Sequence, residues 1–360
     1  MASNIQSMHS RLTTLGVGLR PHVKTNKSIA VTDAVIQRLP KKKIAVSTLR
    51  EANYFLGHGI EDIMYAVGIV PAKLTDVAEL MRRGGRISLI LDDRDVAEKV
   101  CAMGLAQGLA YRVYIELDVD GHRSGVEAGD PSLLAIADVL HNGAGATLGG
   151  VMTHAGGSYA CDTTEAIAEA AEQERRRSVE AAELLRRHGY PCPEVSVGST
   201  PTATFAKHLE GITEVRAGVY VFQDLFQAGL GCCTIDAVAL SVLATVTGHK
   251  KRKNLVIVDA GWMAMSRDRG TAAQRVDQGY GLVLDKAGTP LDDMVMVAAN
   301  QEHGILTTRN DHPVDFAKLP IGTKVRILPN HACATAAQFD AYIVHAGDTV
   351  VQVWPRIKGW

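Results

Sequence analysis

Arg20-Pro-His-Val-Lys-Thr-Asn26 ends the first strand-like segment of the chain, Gly16–Val23, and leaves a lysine at its carboxyl end. Seven more strand-like segments follow: Ile44–Leu49, Asp62–Gly68, Ile87–Asp92, Tyr111–Asp118, Leu148–His154, Glu194–Ser199 and Thr213–Tyr220. Between most of them lie amphipathic helical stretches, among them Leu74–Arg83, Arg94–Gln107, Pro131–His141 and the long Thr164–His188. Strand and helix alternating in this way predict an α/β fold, a closed (β/α)8 barrel of the TIM type. An open doubly wound sheet is the competitor, but it seldom needs eight such units in a row. In a barrel, Lys24 stands at the end where chemistry is done. Burial there would favour a neutral amine, which attacks carbonyls, although an isolated lysine is usually just solvated.

After about residue 235 the rhythm changes. Val238–Gly248, Leu255–Ala260, Gly279–Leu284, Met294–Ala298, Lys324–Leu328, Ala341–His345 and Val350–Trp354 are strand-like, with hardly any helical periodicity between them. Short strands separated by turn signals predict a mostly antiparallel β domain. The expected division is 1–235 for the barrel and 236–360 for the β domain.

Composition narrows the function classes. The 38 basic residues balance 39 acidic ones, which implies neither a nucleic acid nor a membrane surface as partner. Hydrophobic residues make up 46% of the 360, ample for a packed core, and no apolar run reaches membrane-spanning length. The beginning, Met1-Ala-Ser-Asn-Ile-Gln6, lacks the regions of a secretory signal. Six cysteines without framework-like spacing fit a reducing cytoplasm. The adjacent Cys232-Cys233 read as small buried hydrophobes.

A barrel binds phosphate in the loops after strands seven and eight. Here these are Gly198-Ser199-Thr200-Pro201-Thr202 and Arg216-Ala217-Gly218-Val219-Tyr220. Glycines admit close backbone approach, amides cradle the anion and hydroxyls add hydrogen bonds. Alone, a Gly-Ser-Thr turn is only a turn. Opposite an amine such as Lys24, the two loops suggest pyridoxal phosphate. Arg123, in Asp118–Gly125, and His154 with Tyr159, in His154–Tyr159, put polar groups where a cofactor ring would lie, though each also reads as a turn or core residue. In the second domain, His331 and Cys333 are two apart in a segment read as extended, so both could share one metal ion, although such a pair by itself also reads as structural. A thiolate with an imidazole favours zinc, and two ligands leave positions open to water or substrate.

Together these residues resemble the D-serine dehydratase family of fold-type III pyridoxal-phosphate enzymes, related to the alanine racemases and D-threonine aldolases. The similarity runs over nearly the whole chain. It is strongest at Arg20–Lys24, Asp118–Gly125, Thr153–Tyr159, Val197–Thr202, Val215–Phe222, Asp259–Gly270, Asn300–Gly304 and Pro329–Thr335, with a Gly359-Trp360 ending. The resemblance implies that Lys24 is the Schiff-base lysine and catalytic base, and that His331 and Cys333 are zinc ligands. It implies a phosphate held by Ser199, Thr200, Gly218 and Val219 with Tyr220 close by. Arg123 would sit beside the cofactor's phenolic oxygen, and Tyr159 is the candidate partner of the pyridine nitrogen. The implied activity is a carbon–oxygen lyase that eliminates water from a D-3-hydroxy amino acid. D-threo-3-hydroxyaspartate, giving oxaloacetate and ammonia, comes ahead of D-serine, with Arg267 or Arg269 as counter-charge for the second carboxylate unless they pair with Asp268. A D-threonine-type aldolase is a further alternative, although its relatives carry Asp where Cys333 stands. A racemase would need a second base and no metal. A non-enzymatic carrier of the cofactor would leave the second domain unexplained. A homodimer is expected, with Asn300–Gly304 either shared across the subunits or an ordinary turn. The family begins about one strand earlier than this chain, so an incomplete second domain is a further expectation.

Overall fold

The computed structural model describes residues 1–359, so Trp360, half of the family-like ending, lies outside the described residues. The chain divides into two compact units. One comprises Ile5–Gly218 with Gly359, and the other Met1–Asn4 with Val219–Lys358.

In the first unit, β1 (Gly18–Pro21), β2 (Lys43–Val46), β3 (Asp62–Gly68), β4 (Arg86–Leu91), β5 (Tyr111–Leu117), β6 (Ala146–Thr153), β7 (Glu194–Val197) and β8 (Glu214–Ala217) form one parallel sheet. The strand order β1-β8-β7-β6-β5-β4-β3-β2 curls the sheet into a barrel. Between β1 and β2 it closes through a single bridge, His22 to Ala45, where the Val23 amide donates to the Ala45 carbonyl at 2.9 Å. The (β/α)8 expectation is met. The strands β1, β7 and β8 are shorter than their apolar runs, because the residues beyond them turn into the functional loops.

The helices start and stop for local reasons. Asp93 accepts a hydrogen bond from the Val96 amide to open Arg94–Gln107, and Gly108 ends that helix in the left-handed region at φ 65°. Thr163 caps Thr164–Arg187, which carries Arg186 and Arg187 in its last turn, favourable for the helix dipole. Its buried stripe is Ile167, Ala171, Glu174, Ser178, Ala181 and Leu185. A glutamate in that stripe is out of character and needs partners.

The barrel interior is part apolar and part ionic. Ala45, Met64, Ile90, Tyr114 and Met152 pack in one cluster. Arg20, 1% exposed, donates to Glu214 Oε1 at 2.9 Å and to Asp62 Oδ1 at 2.6 Å. Glu214 also accepts from Lys43 Nζ at 2.7 Å and Ser196 Oγ at 2.6 Å. Every charge in this set has a partner, which burial demands.

The second unit is built on β9 (Val242–Lys250), β10 (Leu255–Val258), β11 (Leu282–Asp285), β12 (Pro290–Ala299), β13 (Gly304–Thr308) and β14 (Lys324–Leu328). They pair antiparallel into a closed barrel in the order β10-β13-β12-β11-β14-β9, and β15 (Ala341–Ala346) and β16 (Thr349–Pro355) form a separate hairpin. Val246, Val256, Val258, Met296, Leu306, Val325 and Ile327 fill this barrel. An antiparallel β domain is therefore present. β13 went unread in the sequence because Gly304-Ile-Leu-Thr-Thr308 looks like the tail of a turn. Cys232 and Cys233 are half-buried rather than buried.

Candidate active site

In the first unit Lys24 follows β1 in a tight turn. Val23 and Thr25 are buried on either side, and the Lys24 side chain projects into solvent. Burial, the sequence argument for a neutral amine, is absent. Two features still distinguish it from its neighbours. Lys27 pairs with Glu51 at 3.0 Å and Lys43 with Glu214, whereas the Lys24 ammonium makes no ion pair among the described residues. The Lys24 amide donates to His22 Nδ1 at 3.4 Å, and burial first, then the charges of Lys24 and Arg216, hold that imidazole's pKa well below the usual range.

His154, at the end of β6, meets the same fields. Burial pushes its pKa down to about 3, with Lys24, Arg123 and Arg216 adding to the effect. The ring is thus neutral. Its Nδ1 lies 3.0 Å from the Gly198 carbonyl and donates to it, which leaves Nε2 as an acceptor. Tyr159 lies 6.1 Å away, centroid to centroid. Arg123 is exposed in the turn after β5.

The loop after β7 is tightly made. Ser199 caps Thr200–Phe205, accepting from the Thr202 amide while Thr202 Oγ1 accepts from the Ser199 amide. Ser199 Oγ also meets Ser158 Oγ at 3.0 Å, which stitches it to the loop after β6. Below both loops lies Glu174, whose Oε1 accepts from the Gly198 amide at 2.9 Å and the Ala155 amide at 3.1 Å. Gly198 has φ 130°, and a Cβ there would sit 2.3 Å from the Arg216 carbonyl oxygen. Gly218, after β8, has no room either, since a Cβ would lie 2.6 Å from the His22 carbonyl oxygen.

These residues suit a phosphate. Thr200 Oγ1 is buried with no hydrogen-bond partner, an unmet need that an anion's oxygens satisfy. Glycine backbone at 198 and 218 gives the close approach such a cradle requires. In the second unit Val219 and Tyr220 are buried, and the Tyr220 hydroxyl likewise has no partner.

The second unit also brings His331 and Cys333 together, but not as an extended pair. His331 is the N-cap of a short helix, Ala332–Ala336, and Cys333 lies in its first turn. The two side chains meet because the chain turns there. Asp268 Oδ2 stands 2.7 Å from His331 Nδ1. Burial opposes a charge on this imidazole, yet hydrogen bonds to Asp268 and Cys333 raise its pKa to about 11. Among the described residues no group of three or more His, Cys, Asp or Glu is arranged as a metal site. A thiol and an imidazole are a soft donor pair suited to zinc, with the remaining positions left to water or substrate.

Three supporting carboxylates went unnoticed in the sequence. Glu174 gave a signal, a charge in the apolar stripe of its helix. Asp224, 1% exposed, accepts from the Ala332 amide at 2.9 Å, and burial lifts its pKa to about 6. Asp268 was hidden between two arginines as apparent surface charge. Neither arginine pairs with it: Arg269 pairs with Asp277 at 2.7 Å, and Arg267 stacks on Trp262 at 4.1 Å. Asn300–Gly304 is the β12–β13 turn, and the Asn300 and Gln301 carbonyls accept from the Trp262 and Met263 amides.

The family model for the alanine racemase N-terminal domain matches residues 1–225, and that for the serine dehydratase domain matches 239–345. The chain belongs to the D-serine dehydratase family, on an alanine-racemase-type barrel. It is 54% identical to D-threo-3-hydroxyaspartate dehydratase of Delftia sp. (strain HT23), over 100% of this chain and 95% of that one. The solved structure of that dehydratase superposes with a TM-score of 0.97, again over 100% and 95% of the two chains. A cysteine-to-alanine mutant of such a dehydratase, solved in the metal-free form, superposes equally well. D-serine dehydratase of Dictyostelium discoideum is 30% identical over 99% of this chain and 94% of its own. No helix among the described residues is long and apolar enough to cross a membrane.

Proposed function

We propose that the chain is a pyridoxal-phosphate- and zinc-dependent dehydratase acting on a D-3-hydroxy amino acid, with D-threo-3-hydroxyaspartate the expected substrate and oxaloacetate and ammonia the products. The observation that carries this is the contact of His331 with Cys333, in a chain 54% identical from end to end to a D-threo-3-hydroxyaspartate dehydratase. Residues 1–235 would hold the cofactor and 236–360 the metal. When bound, pyridoxal phosphate supplies an electron sink for the α-carbon and zinc a Lewis acid for the departing hydroxide.

The chain's own residues then have defined tasks. Lys24 would carry the cofactor, and once the substrate amine has displaced it the freed Nζ would take the α-proton. Placed on one face, it selects the D configuration. Ser199, Thr200, Gly218 and Val219, with Tyr220, bind the phosphate. Arg123, His154 and Tyr159 surround the ring. His331 and Cys333 hold the metal. Arg269 is committed to Asp277, so Arg267 is the remaining counter-charge for a second substrate carboxylate. A reducing cytoplasm fits six cysteines without framework-like spacing, and a homodimer is expected of the family.

Holoenzyme given D-threo-3-hydroxyaspartate, D-serine, D-threonine and their L forms should release 2-oxo acid and ammonia from the D-hydroxyaspartate most efficiently, and should stop when chelated. Preference for D-serine would move the substrate to that amino acid. Aldehyde release would overturn the dehydratase reading in favour of an aldolase. Borohydride should fix the cofactor on Lys24, and its recovery on Lys27 or in Lys41–Lys43 would sink that assignment.

A further inference from the structure

The loop before the second barrel's third strand is tied to the metal-binding segment by more bonds than its length requires. Thr335 Oγ1 donates to the Met265 carbonyl at 2.8 Å, and Asn330 Nδ2 to the Asp268 carbonyl at 3.3 Å. Thr271 Oγ1 donates to Asn330 Oδ1 at 3.2 Å. In the middle of this strap lies the Asp268 carboxylate, and both of its oxygens are engaged. Oδ1 accepts from the Gly270 amide at 2.8 Å, and Oδ2 faces His331 Nδ1 at 2.7 Å. Ser266 holds a φ of 76°, unusual for a residue with a side chain, and its Oγ accepts from the Asp268 amide at 3.2 Å. The backbone is thus bent to present this one carboxylate to the imidazole.

We infer that Asp268 is a positioning residue for the metal, fixing His331 as the tautomer whose proton sits on Nδ1 so that Nε2 is the ligand atom. This rests on the proposed reading of His331 and Cys333 as metal ligands. An ionised carboxylate only accepts hydrogen bonds, so a neutral ring facing Oδ2 must carry its proton on Nδ1. Nε2 then has the lone pair, in the manner of the carboxylate–histidine–metal arrangements that orient ligands elsewhere. The carboxylate also offsets positive charge that a cation adds to the ring.

The isosteric change Asp268→Asn is a sharp test, because an amide has one acceptor oxygen where the carboxylate has two. If that oxygen serves the Gly270 amide, the NH2 faces Nδ1 and drives the ring's proton to Nε2, where it blocks the metal. If the oxygen serves His331, the Gly270 amide meets a donor and the strap loosens. Holoprotein would be stripped with a chelator, its bound cofactor followed by absorbance, and titrated with Zn2+ against a chromophoric competitor. D268N should weaken zinc binding about 10–100-fold, with the cofactor spectrum unchanged. Ser266→Ala, which removes one hydrogen bond of the strap but spares the carboxylate, should weaken zinc binding much less than D268N does. Equal weakening by S266A, or affinity of D268N indistinguishable from the unaltered protein, would overturn the role given to Asp268. Independently of any variant, long-range 1H–15N spectra of the zinc-loaded protein should show His331 protonated at Nδ1 and metallated at Nε2. The reverse assignment would overturn it as well. If the unaltered protein and Cys333→Ala both take up no zinc at this site, the metal reading itself falls, an outcome distinct from failure of Asp268 alone.

Discussion

Glu214 is the carboxylate on which the barrel's interior charges converge, and Glu214→Gln tests how much it contributes. It accepts from Arg20, Lys43 and Ser196 and is 1% exposed. Burial opposes its charge, but Arg20 and Lys43 win and hold its pKa down at about 2, against an ordinary 4.5. That difference corresponds to about 3 kcal/mol of stability linked to its ionisation. The sign follows from the depressed value: the stabilisation is complete above the ordinary carboxylate range and is lost as pH falls from about 4.5 towards 2. The Gln variant removes the charge at every pH. Arg20 keeps Asp62 at 2.6 Å, which limits the damage to the lower end of what breaking a buried pair costs, about 3 kcal/mol. Urea unfolding of both proteins, followed by far-ultraviolet circular dichroism from pH 7 to 3, gives the comparison. The gap should be widest at pH 7 and should narrow below pH 4.5 as the unfolded state of the unaltered protein takes up a proton at this carboxylate. A gap of constant size across that range, or none at pH 7, would refute the claim that Glu214 is ionised and paired.

Thr200→Val replaces a buried hydroxyl that has no partner, so cofactor-free protein should be as stable or more so, while pyridoxal-phosphate affinity measured by absorbance titration falls. Gly218→Ala forces a methyl against the His22 carbonyl at 2.6 Å and should lower cofactor affinity, with a fall in melting temperature that an overpacked site brings. Glu174→Ala strands the buried Gly198 and Ala155 amides and should cost about 2–5 kcal/mol in denaturant titrations, whereas Glu174→Gln, which can still accept from both, should cost much less. Cys333→Asp should shift metal preference from zinc towards manganese or magnesium in competitive uptake measured by mass spectrometry, because a carboxylate oxygen replaces the thiolate.

The barrel was legible because alternation leaves a mark in sequence at every strand. The segments Asp62–Gly68 and Arg94–Gln107 coincide with the observed elements, since turn and cap residues delimit them on both sides. The functional loops were legible as loops but not in their shape. Nothing local says that the chain turns at His331, so two residues assigned to one side of a strand proved to be a cap and a first-turn neighbour. Exposure was also invisible: the place of Lys24 at the end of the first strand suggested burial, yet Val23 and Thr25 on either side are buried while it is not. Asp224 and Asp268 act on the same short segment from 108 and 63 residues away. Such long-range partners leave no periodic trace.

The first barrel is not equally strong all the way round. β5 and β6 share a register of seven paired residues, but β1 and β2 are joined by a single bridge at His22 and Ala45, and Lys24 is the second residue beyond it. A seam with so few bonds opens more cheaply than the rest of the sheet, so in hydrogen exchange the Val23 amide should belong to the least protected set of barrel amides. The lysine is therefore mounted beside the seam that carries the fewest strand-to-strand bonds.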